Sequence, residues 1–223
     1  MKIRKLQLYS SNLKEQLHFY RDNLGLHVNQ NSEENFEVQI GYSLMEFQFQ
    51  EDAKPYHIAF HIPDHQEQEA LEWVKGRMPV LKYNTEEIID FSAWNAKSLY
   101  FYDADTNILE FISRGDFNKP QSALFSEKSI LGVAEVGIGT TRVREKFNFM
   151  NSHFGLEKYD GDFEKFCAVG DDQGLFITID RTKKDWFPID DKAYAAEFRV
   201  EFSHRDENYR LIFEKDHLTT PSE

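Results

Sequence analysis

The sequence predicts an α+β fold in which tandem βαβββ modules form paired, cup-shaped mixed sheets with helices on the outer face. Three observations lead there. Short segments with the two-residue alternation of half-buried strands are separated by single segments of helical periodicity. The order strand, helix, three strands then recurs along the chain. Finally, one segment of the first module is echoed without gaps in the third, the mark of internal duplication.

Residues 3–10 open the first module, with Leu6 and Leu8 on one strand face and Lys5, Gln7 and Tyr9 on the other. Asn12 is a candidate N-cap, and Leu13, Leu17, Tyr20 and Leu24 recur at helical spacing until Gly25 supplies a stop, so a helix is expected over 12–24. Extended runs follow at 26–30, 36–40 and 44–50, the last setting Met45, Phe47 and Phe49 against Glu46, Gln48 and Gln50. The second module repeats the order. It has a strand over 56–62, an amphipathic helix over 66–77, and strands near 87–91, 97–102 and 108–113, with a turn at 103–107 before the last.

A polar stretch, 115–128, reads as a linker between an N-terminal pair of modules, 1–114, and a C-terminal unit, 129–223. In that unit FNFMNSHFGL at 147–156 echoes LHFYRDNLGL at 17–26, an offset of 130 that puts Glu135 at the place of Lys5 and Phe176 at that of Glu46. Strands are expected near 163–169 and 174–180. After Asp185-Trp186-Phe187-Pro188 only two strands, near 195–202 and 208–214, remain, so the fourth module is truncated and lacks a helix.

A chain of 223 residues with 40% hydrophobic residues and 20 phenylalanines can fill two cores without staples. The net charge of -13 argues against nucleic acid and anionic membranes, because phosphate binding needs clustered Lys and Arg. The lone cysteine, Cys167, lies in the strand-like KFCAVG and reads as a small core residue. The N-terminal MKIRKLQLYSS lacks an apolar h-region, and no run approaches the ~20 apolar residues that span a bilayer, so a cytoplasmic location is expected. A nucleophile elbow, a P-loop and a dinucleotide fingerprint are all missing, and Gly137-Ile138-Gly139 lacks the rest of any phosphate-binding pattern.

FYRDNLGL at 19–26, YHIAFHIPD at 56–64, YFYDADTNILEFI at 100–112 and Trp186-Phe187-Pro188, in this order, resemble the vicinal oxygen chelate superfamily of glyoxalase I, bleomycin-binding proteins and extradiol dioxygenases. The resemblance implies the fold, whereas activity stays open among lyases, isomerases, dioxygenases and plain binders. It also implies ligand positions on the first and last strands of paired modules, here Lys5, Glu46, His57 and Glu110. Glu46, His57 and Glu110 could hold a divalent ion such as Mn, Fe, Co, Ni or Zn. Lys5 departs from the pattern, standing where histidine or glutamine is expected.

The strand alternation independently puts Lys5, Glu46, His57 and Glu110 on polar faces whose backs are apolar, with Gln7, Tyr9, Gln48 and His61 beside them. Trp94 and Asn95, just before a strand, could close over a ligand, and Tyr100 alternates along that strand. His61 lies four positions from His57, roughly 13 Å along a strand, too far to share one ion. Glu197, Arg199 and Glu201 share a face and suit cross-strand pairing with Arg210 or Glu214, a structural role.

Two functional readings compete. In one, a metal-dependent lyase, isomerase or dioxygenase uses the ion as a Lewis acid on vicinal oxygens, with Glu46 or Glu110 moving a proton. In the other, Lys5 pairs with Glu46 and Glu110 in place of the metal, and the protein binds or sequesters an aromatic compound or antibiotic without turnover. A small-molecule partner is common to both. Strand edges left by the truncated module would suit a homodimer.

Overall fold

The computed structural model describes residues 1–115, 117 and 119–221. In chain order the elements are β1 (Lys2–Ser10), α1 (Leu13–His18), β2 (Val28–Gln30), β3 (Asn35–Ile40), β4 (Ser43–Phe49), β5 (His57–His61), α2 (Glu67–Lys75), β6 (Val80–Leu81), β7 (Ile89–Phe91), β8 (Ala96–Tyr102) and β9 (Ile108–Arg114). They continue with β10 (Gly132–Thr140), α3 (Val143–Phe154), β11 (Lys158–Gly161), β12 (Phe166–Asp171), β13 (Gly174–Asp180), β14 (Phe198–His204), β15 (Glu207–Glu214) and β16 (His217–Thr219). The α+β class and the βαβββ order are as expected. The truncated module carries β16 as a third, very short strand.

Two mixed sheets result. One has the order β16-β15-β14-β1-β4-β3-β2, and the other β11-β12-β13-β10-β5-β9-β8-β6, with β7 also on β8. This corrects the expected pairing: the first module joins the fourth through β1 and β14, and the second joins the third through β5 and β10. Lys5 and Glu46 therefore share one sheet while His57 and Glu110 share the other. The reason is physical. Period-two alternation decides which face of a strand is buried, but the backbone edge accepts any strand of compatible register, so the partner is not written in the pattern.

The sheets share one core. Leu6, Leu8, Phe36 and Phe47 of the first meet Ile58, Phe60, Phe111 and Phe176 of the second in a single apolar cluster. Ser43 ties the sheets at one end, donating to the Ile3 carbonyl at 2.8 Å and accepting from the Val133 amide at 2.9 Å. Nearby, Gly41 (φ 51°) lies so close to the Leu131 carbonyl that a Cβ would sit 2.0 Å from its oxygen. At the other end, the Tyr56 hydroxyl accepts from the Tyr9 amide and donates to the Glu197 carbonyl.

The helices cover this core from outside. α1 buries Leu17 and runs on through a π-helical turn, Phe19–Asn23, that buries Phe19 and Tyr20. α2 buries Ala70, Leu71 and Val74, and α3 buries Val143, Met150 and Phe154 before Gly155 caps it in the left-handed conformation. Cys167 is buried and unbridged, and among the described residues no helix is long and apolar enough to cross a membrane.

Candidate functional site

The concave face of the second sheet carries the site, and strand register lays it out in rows. One row reads Tyr100, Glu110, Ala59, Glu135, Leu175 across β8, β9, β5, β10 and β13. In the next, Tyr102, Ile108 and His57 lead to Gly137, Ile177 and Ala168. Above the rows lies a cavity of about 540 Å³ walled by Trp94, Tyr100, Phe166, Ile177, Ile179, Trp186 and Phe187, with His57, Glu110 and Glu135 at its polar floor.

The floor groups are tightly held. His57 Nε2 lies 3.1 Å from Glu110 Oε2, with both side chains almost wholly buried. Arg114 donates from a terminal guanidinium nitrogen to Glu135 Oε1 at 2.7 Å, and this pair is also buried. Burial first, then the charge of Glu110, pushes the Glu135 carboxyl up, with Arg114 pulling the other way. Burial also raises the Tyr100 phenol, helped by the carboxylates of Glu110 and Glu135. His57 Nδ1 and Arg114 Nε are buried without a hydrogen-bond partner.

The segment between β13 and β14 forms a strap across the cavity. Trp186 stacks on His57 with ring centroids 5.0 Å apart, and it fits only because residue 137 is glycine: a Cβ there would lie 2.8 Å from the indole. Trp186 exchanges backbone hydrogen bonds with Asp191, whose carboxylate accepts from Tyr102. Phe187 closes on Tyr100 and Tyr83 at 5.5 and 4.8 Å. Opposite, the Trp94 indole donates to Asp160 at 2.7 Å, joining the second and third modules.

The sequence-derived residues divide between the sheets. His57, Glu110, Trp94 and Tyr100 line this cavity. Lys5, Gln7, Tyr9, Glu46 and Gln48 stand on the first sheet, where Lys5 reaches Glu46 at 2.7 Å and Gln7 donates to Gln48 at 3.1 Å. Lys5 does not bridge to Glu110, and Glu46 is not a third donor beside His57. His61 is fully buried, its Nε2 lies 3.3 Å from the Gln173 carbonyl, and burial followed by the charge of Arg114 lowers its pKa to about 3. Asn95 caps a short 3-10 turn in the left-handed conformation and bonds Gly115, outside the main cavity. Arg210 pairs with Glu201 as expected, at 3.1 Å.

Glu135, Ile177 and Trp186 complete the site and were not placed there by sequence. Glu135 was legible as the counterpart of Lys5, but it was assigned to a separate C-terminal unit. Register shows that Ile177, not Phe176, is the counterpart of Glu46: Gly137 pairs with Ile177 as Gln7 pairs with Glu46, so the offset has grown to 131 by the last strand. Gly137-Ile138-Gly139 carried the remaining signal, since Gly139 likewise makes room for the Tyr194 backbone.

The donor set does not fit a divalent ion. Of the four positions that register brings together where the resemblance implies ligands, His57, Glu110, Glu135 and Ile177, the last is apolar and Glu135 is engaged by the Arg114 guanidinium. A buried guanidinium supplies the charge an ion would bring and repels one placed beside it. Among the described residues no group of three or more His, Cys, Asp or Glu side chains is arranged to hold a metal.

Neither a family model nor a curated protein matches the sequence. Solved structures do. A putative dioxygenase from Bacillus subtilis superposes with a TM-score of 0.58 at 15% identity, over 80% of this chain and 63% of that one. A glyoxalase I mutant from Zea mays gives 0.52 at 14% identity, over 79% of this chain and 66% of that one. The chain thus shares the fold of these two structures. It spans less than two thirds of the Bacillus chain's length.

Proposed function

We propose that the protein is a metal-free small-molecule-binding protein whose ligand lies in the aromatic cup of the second sheet. The observation that carries this is the floor of the cavity, where Arg114 rather than an ion neutralises Glu135 beneath walls of tryptophan and phenylalanine. Its size and its mostly apolar lining with a few convergent polar groups suit a ligand of one or two rings. This keeps the sequestration reading but moves its cation from Lys5 to Arg114. The dioxygenase and glyoxalase chemistry named for the similar structures would require Glu135 to leave Arg114 and a fourth donor to replace Ile177.

Equilibrium dialysis against Mn, Co, Ni and Zn, followed by elemental analysis, tests the reading. Well below one equivalent of any ion is expected in the wild type. Stoichiometric retention that Glu110→Gln abolishes would overturn the proposal in favour of a metalloenzyme.

A further inference from the structure

The cup's two halves are related by the antiparallel pairing of β5 with β10, and they are filled differently. In one half Gly137 lies between His57 and Ile177, and Trp186 occupies the space above it. In the other Ala59 lies between Glu110 and Glu135, and both carboxylates line the cavity. The charges there do not balance. Two buried carboxylates, one of them 3.1 Å from the His57 imidazole, face one buried guanidinium, so without an added proton the floor is one positive charge short.

Buried charge is tolerated only when compensated. In the empty cup a proton on one of the floor groups serves, and burial with Glu110 pushes the Glu135 carboxyl in that direction while Arg114 opposes it. The rim adds to the bias, with Asp90 and Asp160 against Lys184. Indole and phenol faces present negative quadrupole to a cation, most strongly where water is excluded. A divalent ion would overshoot the deficit, whereas a singly charged organic group of ring size would close it. We infer that the ligand is an organic monocation with an aromatic or similarly flat body, its charged end seated between Glu110 and Glu135 and its body against Trp186 and Tyr100.

The inference rests on the metal-free binding reading and deepens it by naming the ligand class. Calorimetric titration of the wild-type chain with three ring-matched probes, N-methylquinolinium, 4-methylquinoline and quinoline-4-carboxylate, at pH 8 and low salt, tests it. The cation should bind at least about tenfold more tightly than the neutral probe, with the anion weakest. Glu110→Gln and Glu135→Gln should each erase the preference for the cation over the neutral probe, with an unchanged near-UV circular dichroism spectrum reporting that the cup is folded. Equal binding of cation and neutral probe, or preference for the anion, would overturn the charge assignment and leave the binding cup standing. Failure of all three to bind the wild type would overturn both. Should either glutamine variant not fold, the wild-type series alone decides.

Discussion

The two sheets offer a comparison within one chain. Each pairs two modules through antiparallel first strands, and each carries polar residues on the face where the other does. Lys5, Glu46 and Gln7 stand in the first where His57, Glu110 and Ala59 stand in the second. Their surroundings differ. The first sheet ends in the strands β14, β15 and β16 without a helix, and its hollow of about 320 Å³ has no aromatic wall. The second is covered by Trp186 of the strap over His57 and by Trp94 and Tyr159 beside Arg114, and Arg114 and Glu135 are 3% and 4% exposed while Lys5 keeps 32%. The lesson is that the cover, more than the charges beneath it, sets what an ion pair is worth, because effective dielectric falls as water is excluded.

The sharpest way to break that comparison is to remove one partner from the covered pair. Glu135→Leu strands the Arg114 guanidinium, and urea unfolding should show a loss of about 3–5 kcal/mol. Adding Arg114→Met should restore most of it, because replacing both members of a buried pair by apolar groups is often neutral. A loss under about 1 kcal/mol in the single variant would place this pair in the same class as exposed ones.

The roof itself is the next target. Gly137→Ala puts a methyl 2.8 Å from the Trp186 indole and 3.1 Å from His57 Cβ, so the strap must lift. Overpacking of this kind costs about 1–3 kcal/mol, and the displaced indole should red-shift its emission as water reaches it. Combining it with Trp186→Leu should recover much of the stability, since the methyl then has room. Unchanged emission in the single variant would show that the strap is not seated on Gly137.

These two sites also mark how far the sequence could be read. Strand faces, helices and module order follow from periodicity and caps, so Leu6, Leu8 and the Leu13–Leu24 spacing led to the right elements. His57 and Glu110 were legible because they sit on polar faces of apolar strands. Which module pairs with which was not, because pairing depends on backbone edges and long-range contacts such as the Ser43 link between Ile3 and Val133. That one unknown moved Lys5 and Glu46 out of the site and brought Glu135 in. Arg114 was invisible for a related reason: at the last position of β9 nothing local shows that it turns inward to another module's carboxylate.

Acid should act on the covered sheet through His61. Burial first, then Arg114, holds this imidazole's pKa down at about 3, while in the unfolded chain it titrates near 6.5. The unfolded state therefore binds the extra proton first, so this contribution is complete above about pH 6.5 and is lost as pH falls toward 3, at up to about 1.4 kcal/mol per pH unit. Urea midpoints measured from pH 7 to 4 should fall less steeply for His61→Gln than for the wild type. Parallel slopes would mean that the imidazole gains a proton in place.

The smallest effect belongs to the open sheet. Lys5 sits 2.7 Å from Glu46 and 3.4 Å from Glu37, yet water reaches all three side chains. Lys5→Met should cost less than about 1 kcal/mol, since a screened pair gains little and Glu46 can turn to solvent or keep its hydrogen bond from Gln48. The variant should also leave the cation preference of the other sheet intact, as Lys5 takes no part in that floor. Salt sharpens the test: raising ionic strength should erase most of the difference between Lys5→Met and wild type while barely touching the Glu135→Leu loss, because counterions screen exposed pairs and do not enter the roofed cup. Equal sensitivity of both variants to salt would mean that water reaches Arg114 as freely as it reaches Lys5, and the contrast between the two sheets would then lie in their residues and not in their cover.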